Sequence, residues 1–282
     1  MTALQGGCAV VGRRVASQED AALGRQMCRQ GIDALECGQV NDAQRLLRQA
    51  AAADPDYSDA RKHLAEALWL GGDRREAVEH AEQACQSLPL DAHNAVRAGQ
   101  MRLLQGEPQA AADWASRAIA VEPRLASGWA LRGRAHHAAG DSVEAVADLQ
   151  QALRYAPDDR TLLRDLAELY RGRGDQPRAL MTLHQLLDSY APGEAPTAAL
   201  ATTGAAYLES GRPQDAADML RVASARPDAD AALLCGLAEA EAACGRGGEA
   251  IDAARRAVAA DGTHLPAKAL LDRLASAPAT VR

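Results

Sequence analysis

The sequence predicts an all-α fold, a solenoid of seven helix–turn–helix repeats closed by a C-terminal helix, and three observations lead to it. A glycine recurs with a step of 34 residues, except for one step of 37. An alanine follows each of these glycines after five residues, and a proline closes most repeats, because the residue before a proline avoids helical geometry. A fixed period of this length is typical of stacked supersecondary units. The recurring glycines are Gly38, Gly72, Gly106, Gly140, Gly174, Gly211 and Gly245.

Residues 126–157 show the pattern of one repeat most clearly. Trp129, Gly133 and His136 recur at helical spacing, so they share one face of a first helix. Gly140 stands where that helix must stop, a position at which a left-handed residue is usual. The segment therefore predicts two amphipathic helices joined by a tight turn.

The other elements follow this template along the chain. Residues 1–17 show no helical period and are expected to be disordered. Repeats one to five occupy residues 18–192, and repeats six and seven with a capping helix occupy residues 193–276. The last residues, 277–282, are predicted to form a disordered tail.

Three local features refine this division. Ser17 and Asp20 have the spacing of a helix N-cap. The one spacing defect, three extra residues, falls in the proline- and glycine-rich segment 190–196, which predicts either a hinge or a slack loop. Residues 265–274 predict a helix that covers the last apolar surface of the array.

Composition limits both the core and the function. There is no Phe, and aromatic residues make up only 3% of the chain, so the seams between helices must be built from Ala and Leu. The net charge of −7 argues against general nucleic-acid binding, which requires a basic face. No apolar run approaches the roughly 18 residues of a transmembrane segment.

The repeat pattern resembles the tetratricopeptide repeat family, whose helix–turn–helix unit has this period, small residues where its helices cross and a proline at its end. The resemblance covers roughly residues 24–261. It implies a right-handed superhelix that acts as a non-catalytic scaffold or adaptor for other proteins. The small residues stand seven positions before each turn glycine: Gly31, Ala65, Gly99, Gly133, Ala167, Gly204 and Ala238.

In that family the first helix of each repeat lines a concave groove, and the resemblance implies which residues line it here. They form a mixed but mainly cationic stripe with an apolar patch. We expect it to bind a protein or peptide segment with acidic and apolar side chains, since arginine pairs with carboxylates and Trp69 offers an anchor. A solvated face with scattered charges is the alternative. The candidates are Arg29, Lys62, His63, Glu66, Trp69, Leu70, Arg97, Gln100, Leu104, Arg134, Arg164, Glu168 and Arg171.

Two further expectations concern the partner. Some members of the family bind a C-terminal carboxylate through a clamp of Lys, Asn, Asn, Lys and Arg, and of the matching positions only Arg97 carries the family residue. That mode of recognition is therefore not expected. Repeats six and seven offer a groove of small residues, which could admit a helix of a partner or of a second copy: Ala201, Thr202, Ala205, Cys235 and Gly236.

The sequence gives no support for an enzyme, a metal site or a cofactor. The histidines are dispersed, and the adjacent pair His136 and His137 points to different sides of a helix. The cysteines include no CxxC motif, and their spacing on single helices is too long for disulfides. This use of cysteine fits a reducing compartment, so a cytoplasmic location is the default expectation.

One N-terminal motif suggests an alternative cellular location for the protein. Residues 4–8, ending at Cys8, faintly resemble a bacterial lipobox, although Gln5 fits it poorly. Lipidation of Cys8 requires a true start upstream of Met1, because seven residues cannot hold an apolar leader. The motif therefore gives an alternative function, a lipid-anchored bacterial envelope assembly factor, and an alternative location, lipid-anchored or periplasmic. A regulatory subunit of a separately encoded enzyme is a third possible function that does not depend on this motif.

Overall fold

The structure is a computed structural model that describes residues 17–86 and 90–276. In these ranges all regular secondary structure is helical. Cys8, Pro89 and the two termini predicted to be disordered, apart from Ser17, lie outside the described residues. The helices are α1 (Gln18–Glu36), α2 (Val40–Ala53), α3 (Ser58–Gly71), α4 (Arg74–Ala84), α5 (Ala92–Leu104), α6 (Pro108–Val121), α7 (Ala126–Ala139), α8 (Ser142–Tyr155), α9 (Arg160–Gly172), α10 (Gln176–Asp188), α11 (Thr197–Glu209), α12 (Pro213–Ser224), α13 (Ala231–Ala243), α14 (Gly247–Ala260) and α15 (Leu265–Ser276).

The described helices are grouped into an N-terminal body that ends at residue 139 and a C-terminal body that begins at residue 140. Within each body the two helices of a repeat pack against each other, as α1 does on α2 and α13 on α14. The second helix of a repeat also packs on the first helix of the next, as α2 does on α3 and α12 on α13. The predicted all-α repeat array is thus confirmed, while the boundary near residue 192 stays a prediction.

A glycine in the left-handed region ends the first helix of each repeat. The backbone φ of these glycines runs from +71° at Gly211 to +92° at Gly72. Because such a residue lets the chain leave the helix and reverse within a few residues, the paired helices within a body can lie side by side. The predicted turn glycines are all confirmed.

Small residues allow the close helix crossings that a core without Phe requires. A Cβ atom added to Gly204 in α11 would lie 2.5 Å from Cγ of Leu220 in α12. One added to Gly99 in α5 would lie 2.7 Å from Cδ2 of Leu131 in α7. The core around these crossings consists mainly of alanine and leucine side chains, many of them completely buried. The helices therefore approach more closely than bulky side chains would permit.

Both ends of the described array have the predicted caps. The Ser17 side chain accepts a hydrogen bond from the backbone N–H of Asp20, and the Asp20 carboxylate accepts one from the backbone N–H of Ser17. This is a capping box, which satisfies otherwise unpaired N–H groups at the start of α1. At the other end α15 buries Ala267 and Leu270 against α13 and α14. The final helix covers apolar surface, as expected of a terminal cap.

The three extra residues of the array lie in the loop between α10 and α11, residues 189–196. Arg226, just after α12, donates hydrogen bonds to the backbone oxygens of Gly193 (3.1 Å) and Ala195. Ala195 is itself buried. The loop is thus tied to the following repeat by one guanidinium group, even though its composition is that of an irregular segment.

Side-chain pairs bridge the second helix of one repeat and the first helix of the next, and we call them junction pairs. The first member lies ten residues after a turn glycine, and the second lies thirty residues after it, or thirty-three where the loop 189–196 intervenes. The chemistry differs from one junction to another, but each pair is joined by a hydrogen bond. The junction pairs are Glu82–Arg102, Gln150–Tyr170, His184–Tyr207 and Arg221–Glu241.

Candidate functional site

The first helices of the repeats in the N-terminal body, α1, α3, α5 and α7, form the surface that we call the first-helix face. Helix α1 packs on α3, and α5 packs on α7. Helices α3 and α5 are linked by an ion pair between Glu66 and Arg97, with 3.5 Å between Oε1 and Nη2. Consecutive first helices therefore present their side chains on one continuous surface of this body.

Exposed leucines lie at the C-terminal ends of two neighbouring first helices. The side chain of Leu70 at the end of α3 is 61% exposed, and that of Leu104 at the end of α5 is 62% exposed. Trp69 and Leu103 beside them are half-buried and pack partly on the core. The Arg74 guanidinium lies 5.1 Å from the centre of the Trp69 ring. We call these four apolar residues the leucine–tryptophan patch, and exposed apolar side chains at equivalent positions of neighbouring repeats are candidates for a binding site.

Charged groups follow the same two helices toward their N-terminal ends. Lys62, His63 and Glu66 of α3 are half-buried, as are Arg97 and Gln100 of α5. Burial lowers the pKa of His63, and the positive charge of Lys62 lowers it further. His63 is therefore neutral at pH 7, and the cationic character of this part of the face comes from Lys62 and Arg97.

The remaining predicted groove residues are divided between the two bodies. Arg29 of α1 is exposed and Arg134 of α7 is half-buried, both in the N-terminal body. Arg164, Glu168 and Arg171 lie on α9 in the C-terminal body. The predicted groove residues thus belong partly to the N-terminal body and partly to the C-terminal body.

Two of the arginines on α9 already pair with carboxylates of the chain. Arg171 donates from Nε to Glu209 Oε2 over 3.1 Å, and Arg164 Nη2 lies 3.5 Å from Asp165 Oδ1. The hydrogen bond from Arg171 lowers the pKa of Glu209, although burial opposes this effect. Both groups are therefore charged at neutral pH, and their mutual attraction reduces what Arg171 can offer to a ligand.

Asn94 was missed by the sequence reasoning. The groove positions selected on α5 from the family pattern do not include it. The residue is buried, with 6% of its surface exposed, and its Oδ1 atom has no hydrogen-bond partner among the described residues. Buried amide oxygens are nearly always paired, so this atom requires an explanation.

Four of the five small residues predicted to form a groove in repeats six and seven border a recess in the C-terminal body, and the fifth, Cys235, is buried and does not line it. It has a volume of about 330 Å³ and lies between α9, α11 and α13. Ala201, Thr202 and Ala205 of α11 line it, together with Gly236 of α13. The Thr202 hydroxyl donates to the Ala198 carbonyl oxygen over 2.9 Å, so it presents mainly its methyl group.

Residues 17–86 and 90–276 were also compared with what a metal or membrane site requires. They contain no group of three or more His, Cys, Asp or Glu side chains that could hold a metal ion. None of their helices combines the length and the apolar character needed to cross a bilayer. The five cysteines in these ranges, Cys28, Cys37, Cys85, Cys235 and Cys244, form no disulfide.

A family model described as tetratricopeptide repeat matches residues 28–92, 130–194 and 202–264. Comparison with curated protein sequences gives no significant match. Among solved structures, a tetratricopeptide repeat protein from Parabacteroides merdae is similar with a TM-score of 0.63 and 14% identity, over 90% of this chain and 99% of its own.

Two further solved structures are similar. PilW, described as a widely conserved type IV pilus biogenesis factor, has a TM-score of 0.67 and 17% identity over 77% of this chain and 98% of its own. MamA from Desulfovibrio magneticus RS-1 has a TM-score of 0.57 and 18% identity over 64% of this chain and 99% of its own. At these identities the likeness concerns the fold alone.

Proposed function

This chain belongs to the tetratricopeptide repeat family, and from that premise we propose that it is a scaffold or adaptor that binds an extended segment of a partner protein on the first-helix face of its N-terminal body. The family fold is generally a non-catalytic interaction scaffold. We place the partner segment across α3 and α5, where the candidates Lys62, Trp69, Leu70, Arg97 and Leu104 lie.

The leucine–tryptophan patch is the observation that carries this proposal. Leu70 and Leu104 are each more than half exposed on neighbouring first helices. Their apolar surface stays in water in the free protein, and a partner that covered it would gain hydrophobic stabilisation. Trp69 supplies an aromatic anchor of the kind that often dominates binding energy. Lys62 and Arg97 add positive charge beside it, which favours a segment with apolar and acidic side chains.

The test is a pull-down that compares the intact chain with the double variant Arg97→Glu, Arg134→Glu. The matched control is Arg45→Glu, Arg75→Glu, which makes the same change of charge at exposed positions on the second helices α2 and α4. Partners are quantified by mass spectrometry, and circular dichroism checks that each variant is folded. We expect partners to be lost from the first variant and kept by the second.

A companion variant examines the apolar contribution. Leu70→Ser with Leu104→Ser removes the exposed side chains and should not weaken the core, because both are largely in water already. We expect it to lose the same partners. If both variants retain every partner of the intact chain, binding does not occur on this face. The identity of the captured proteins also shows whether an enzyme is among them, as the regulatory-subunit alternative requires.

The envelope alternative rests on Cys8, which lies outside the described residues. One neighbour in fold, PilW, is described as a pilus biogenesis factor, but its low identity transfers no function. Metabolic labelling with a radioactive fatty acid separates the two locations. Label that is incorporated into the intact protein and lost in Cys8→Ser would favour a lipid-anchored envelope protein, while its absence would favour the cytoplasmic adaptor.

A further inference from the structure

His80 is a half-buried histidine on α4, beside the contact between the first and second repeats. Its side chain is 20% exposed, and its Nε2 atom lies 3.7 Å from Oε1 of Glu76, one turn earlier on the same helix. Its Nδ1 atom is buried and has no hydrogen-bond partner among the described residues. A neutral imidazole leaves one nitrogen unprotonated, but the charged form carries a proton on both. Protonation of His80 would therefore place an N–H donor without an acceptor inside the protein.

The charged side chains around His80 also oppose its protonation. They are Arg48 from α2, Arg61 from α3 and Glu76 from α4 itself. Burial lowers the pKa of His80, the charges of Arg61 and Arg48 lower it further, and Glu76 offsets only part of this effect. His80 is thus neutral at pH 7, and a proton added to it would face two arginines.

Glu76 is already engaged by the neighbouring repeat. Arg48 donates from Nη2 to its Oε2 over 2.9 Å and from Nε to its Oε1 over 3.3 Å. These bonds join α2 to α4, the second helices of the first two repeats. A proton on His80 would compete with Arg48 for this carboxylate and would repel Arg48 as well.

Movement of α2 away from α4 would relieve both effects, because it separates the Arg48 charge from His80 and exposes the imidazole to water. In the described array the first repeat, α1 with α2, has a neighbouring repeat on one side only. A terminal repeat of a solenoid can therefore separate at a lower cost than an internal one, which has two neighbours to lose.

We propose that His80 makes the docking of the first repeat sensitive to acid, so that residues 18–53 separate from the second repeat when His80 gains a proton. Separation would remove α1 from the first-helix face, which α3, α5 and α7 would then form without it. The inference goes beyond the proposed function and does not depend on it, since it concerns only how one repeat packs on the next.

The effect of pH on this contact follows from the direction of the His80 pKa. In the separated state the imidazole is in water and binds a proton at the ordinary pKa of about 6.5. In the docked state its pKa is lower, so the docked state binds fewer protons and loses stability as the pH falls below about 6.5. The loss is complete once the pH is below the docked value. Carboxylates such as Glu82 titrate at lower pH, so the two effects can be separated.

Three cysteines of the chain report on neighbouring contacts between repeats. Cys28 of α1 is buried, and its side chain is hydrogen-bonded to that of Tyr57, which precedes α3. It therefore lies between the first and second repeats. Cys85 at the end of α4 is also buried, and the charge of Arg117 on α6 acts on its thiol, so it lies toward the third repeat. Cys37 is exposed and serves as the reference.

The experiment treats the full-length chain with an aromatic disulfide that reacts with thiols in mild acid, and mass spectrometry gives the labelling rate at each cysteine. Dividing the rates at Cys28 and Cys85 by the rate at Cys37 cancels the pH dependence of the reagent. Uptake of one proton changes an opening equilibrium by at most about tenfold per pH unit, so we expect the Cys28 ratio to rise about fivefold from about pH 7.5 to about pH 5.5. The Cys85 ratio should stay constant.

His80→Leu removes the titrating group, and the first repeat itself carries leucine at the equivalent position, Leu46. We expect the Cys28 ratio of this variant to be independent of pH over the same range. His80→Gln, which keeps a polar side chain, should behave in the same way and is the second variant in case leucine alters the packing. His63→Gln is the matched control, because burial also lowers the pKa of His63 but this residue lies on the first-helix face. Its Cys28 ratio should still rise in acid.

Three results would overturn the inference. A Cys28 ratio that does not change with pH in the intact chain would show that the first repeat stays docked in mild acid. An equal rise of the Cys28 and Cys85 ratios would indicate unfolding of the whole N-terminal body. A rise in both His80 variants as large as in the intact chain would show that another group is responsible. Partner capture at neutral pH is independent of all three, so the proposed function would stand.

Discussion

Arg221 donates a hydrogen bond of 2.6 Å from Nη2 to Oε1 of Glu241, whose side chain is buried between α12 and the turn before α14. Glu82 and Arg102 occupy the same two positions of an earlier repeat, with the charges exchanged. Arg102 donates to both carboxylate oxygens of Glu82 over 2.8 Å. The junction pairs thus occupy the same two positions of the repeat, while the residue types at those positions differ from one junction to another.

The first prediction concerns Glu241. Glu241→Gln should lower the free energy of unfolding by about 1–3 kcal/mol, because Arg221 and Arg246 both lose a charge-assisted hydrogen bond to it. Arg221→Ala should cost less, since the Arg221 side chain is 53% exposed and Arg246 still neutralises the carboxylate. Urea unfolding of both single variants and the double variant gives the coupling energy. If the losses of unfolding free energy in the two single variants add up to the loss in the double variant, the interaction between Arg221 and Glu241 contributes nothing to stability.

The second prediction concerns acid stability. Hydrogen bonds from Arg102 hold the pKa of Glu82 below its usual range, with a further contribution from the Trp114 N–H, although burial opposes them. A carboxylate whose pKa is lowered on folding stabilises the protein above its unfolded pKa of about 4.3 and loses this contribution as the pH falls through the lower folded value. We therefore expect the free energy of unfolding to fall over that interval.

Glu82→Gln should be less stable than the intact chain at neutral pH and show a weaker decline as the pH falls. The control is Glu79→Gln on the same helix, which removes an exposed ion pair with Arg75 at 3.2 Å and should change little. Denaturant unfolding at a series of pH values provides the measurement. Parallel pH profiles for Glu82→Gln and the intact chain would contradict the assignment.

The third prediction compares two helical glycines in the C-terminal body. Gly204→Ala should destabilise by about 1–3 kcal/mol, because the new Cβ would lie 2.5 Å from Cγ of the buried Leu220. Gly236→Ala should stabilise by about 0.5–1 kcal/mol, because its Cβ would meet Leu220 at an ordinary 3.6 Å and alanine favours a helix. Melting temperatures of the two variants should move in opposite directions, and a shift of both in the same direction would refute the packing at these crossings.

The fourth prediction concerns the loop 189–196. Arg226→Ala removes the hydrogen bonds to the Gly193 and Ala195 oxygens, so the loop should open more often. A protease that cleaves after glutamate should then cut at the exposed Glu194 faster than in the intact chain. Arg255→Ala, on the exposed side of α14, serves as the control and should leave the rate unchanged. An unchanged rate in Arg226→Ala would show that the guanidinium does not restrain the loop.

The repeat architecture could be predicted because it depends on local signals. Gly140 and the other turn glycines have a left-handed backbone conformation that other residues rarely adopt. Their spacing in the sequence therefore predicts where the helices end. Small residues such as Gly204 report the helix crossings in the same way, because a larger side chain would collide with Leu220. The capping box at Ser17 and the covering role of α15 follow from equally local patterns.

The contacts between repeats could not be predicted from these signals. The family pattern selected Arg97 as a groove cation but could not show that Glu66 lies 3.5 Å from it, since that distance depends on how α3 and α5 stack. Arg171 was selected in the same way, and its pairing with Glu209 spans two repeats. Asn94 has no family signal at all, and only its burial without a partner distinguishes it.

The junction pairs also bear on how the gene can change by unequal crossing-over. A deletion in register that removed repeats three to six would keep every helix boundary intact, yet it would bring Glu82 opposite Glu241 at the new seam. Two carboxylates of which one is almost fully buried would then repel each other where an arginine is needed. The repeats therefore cannot be exchanged freely with one another. A recombinant that joins mismatched repeats should be destabilised and lost to selection unless a compensating substitution accompanies it.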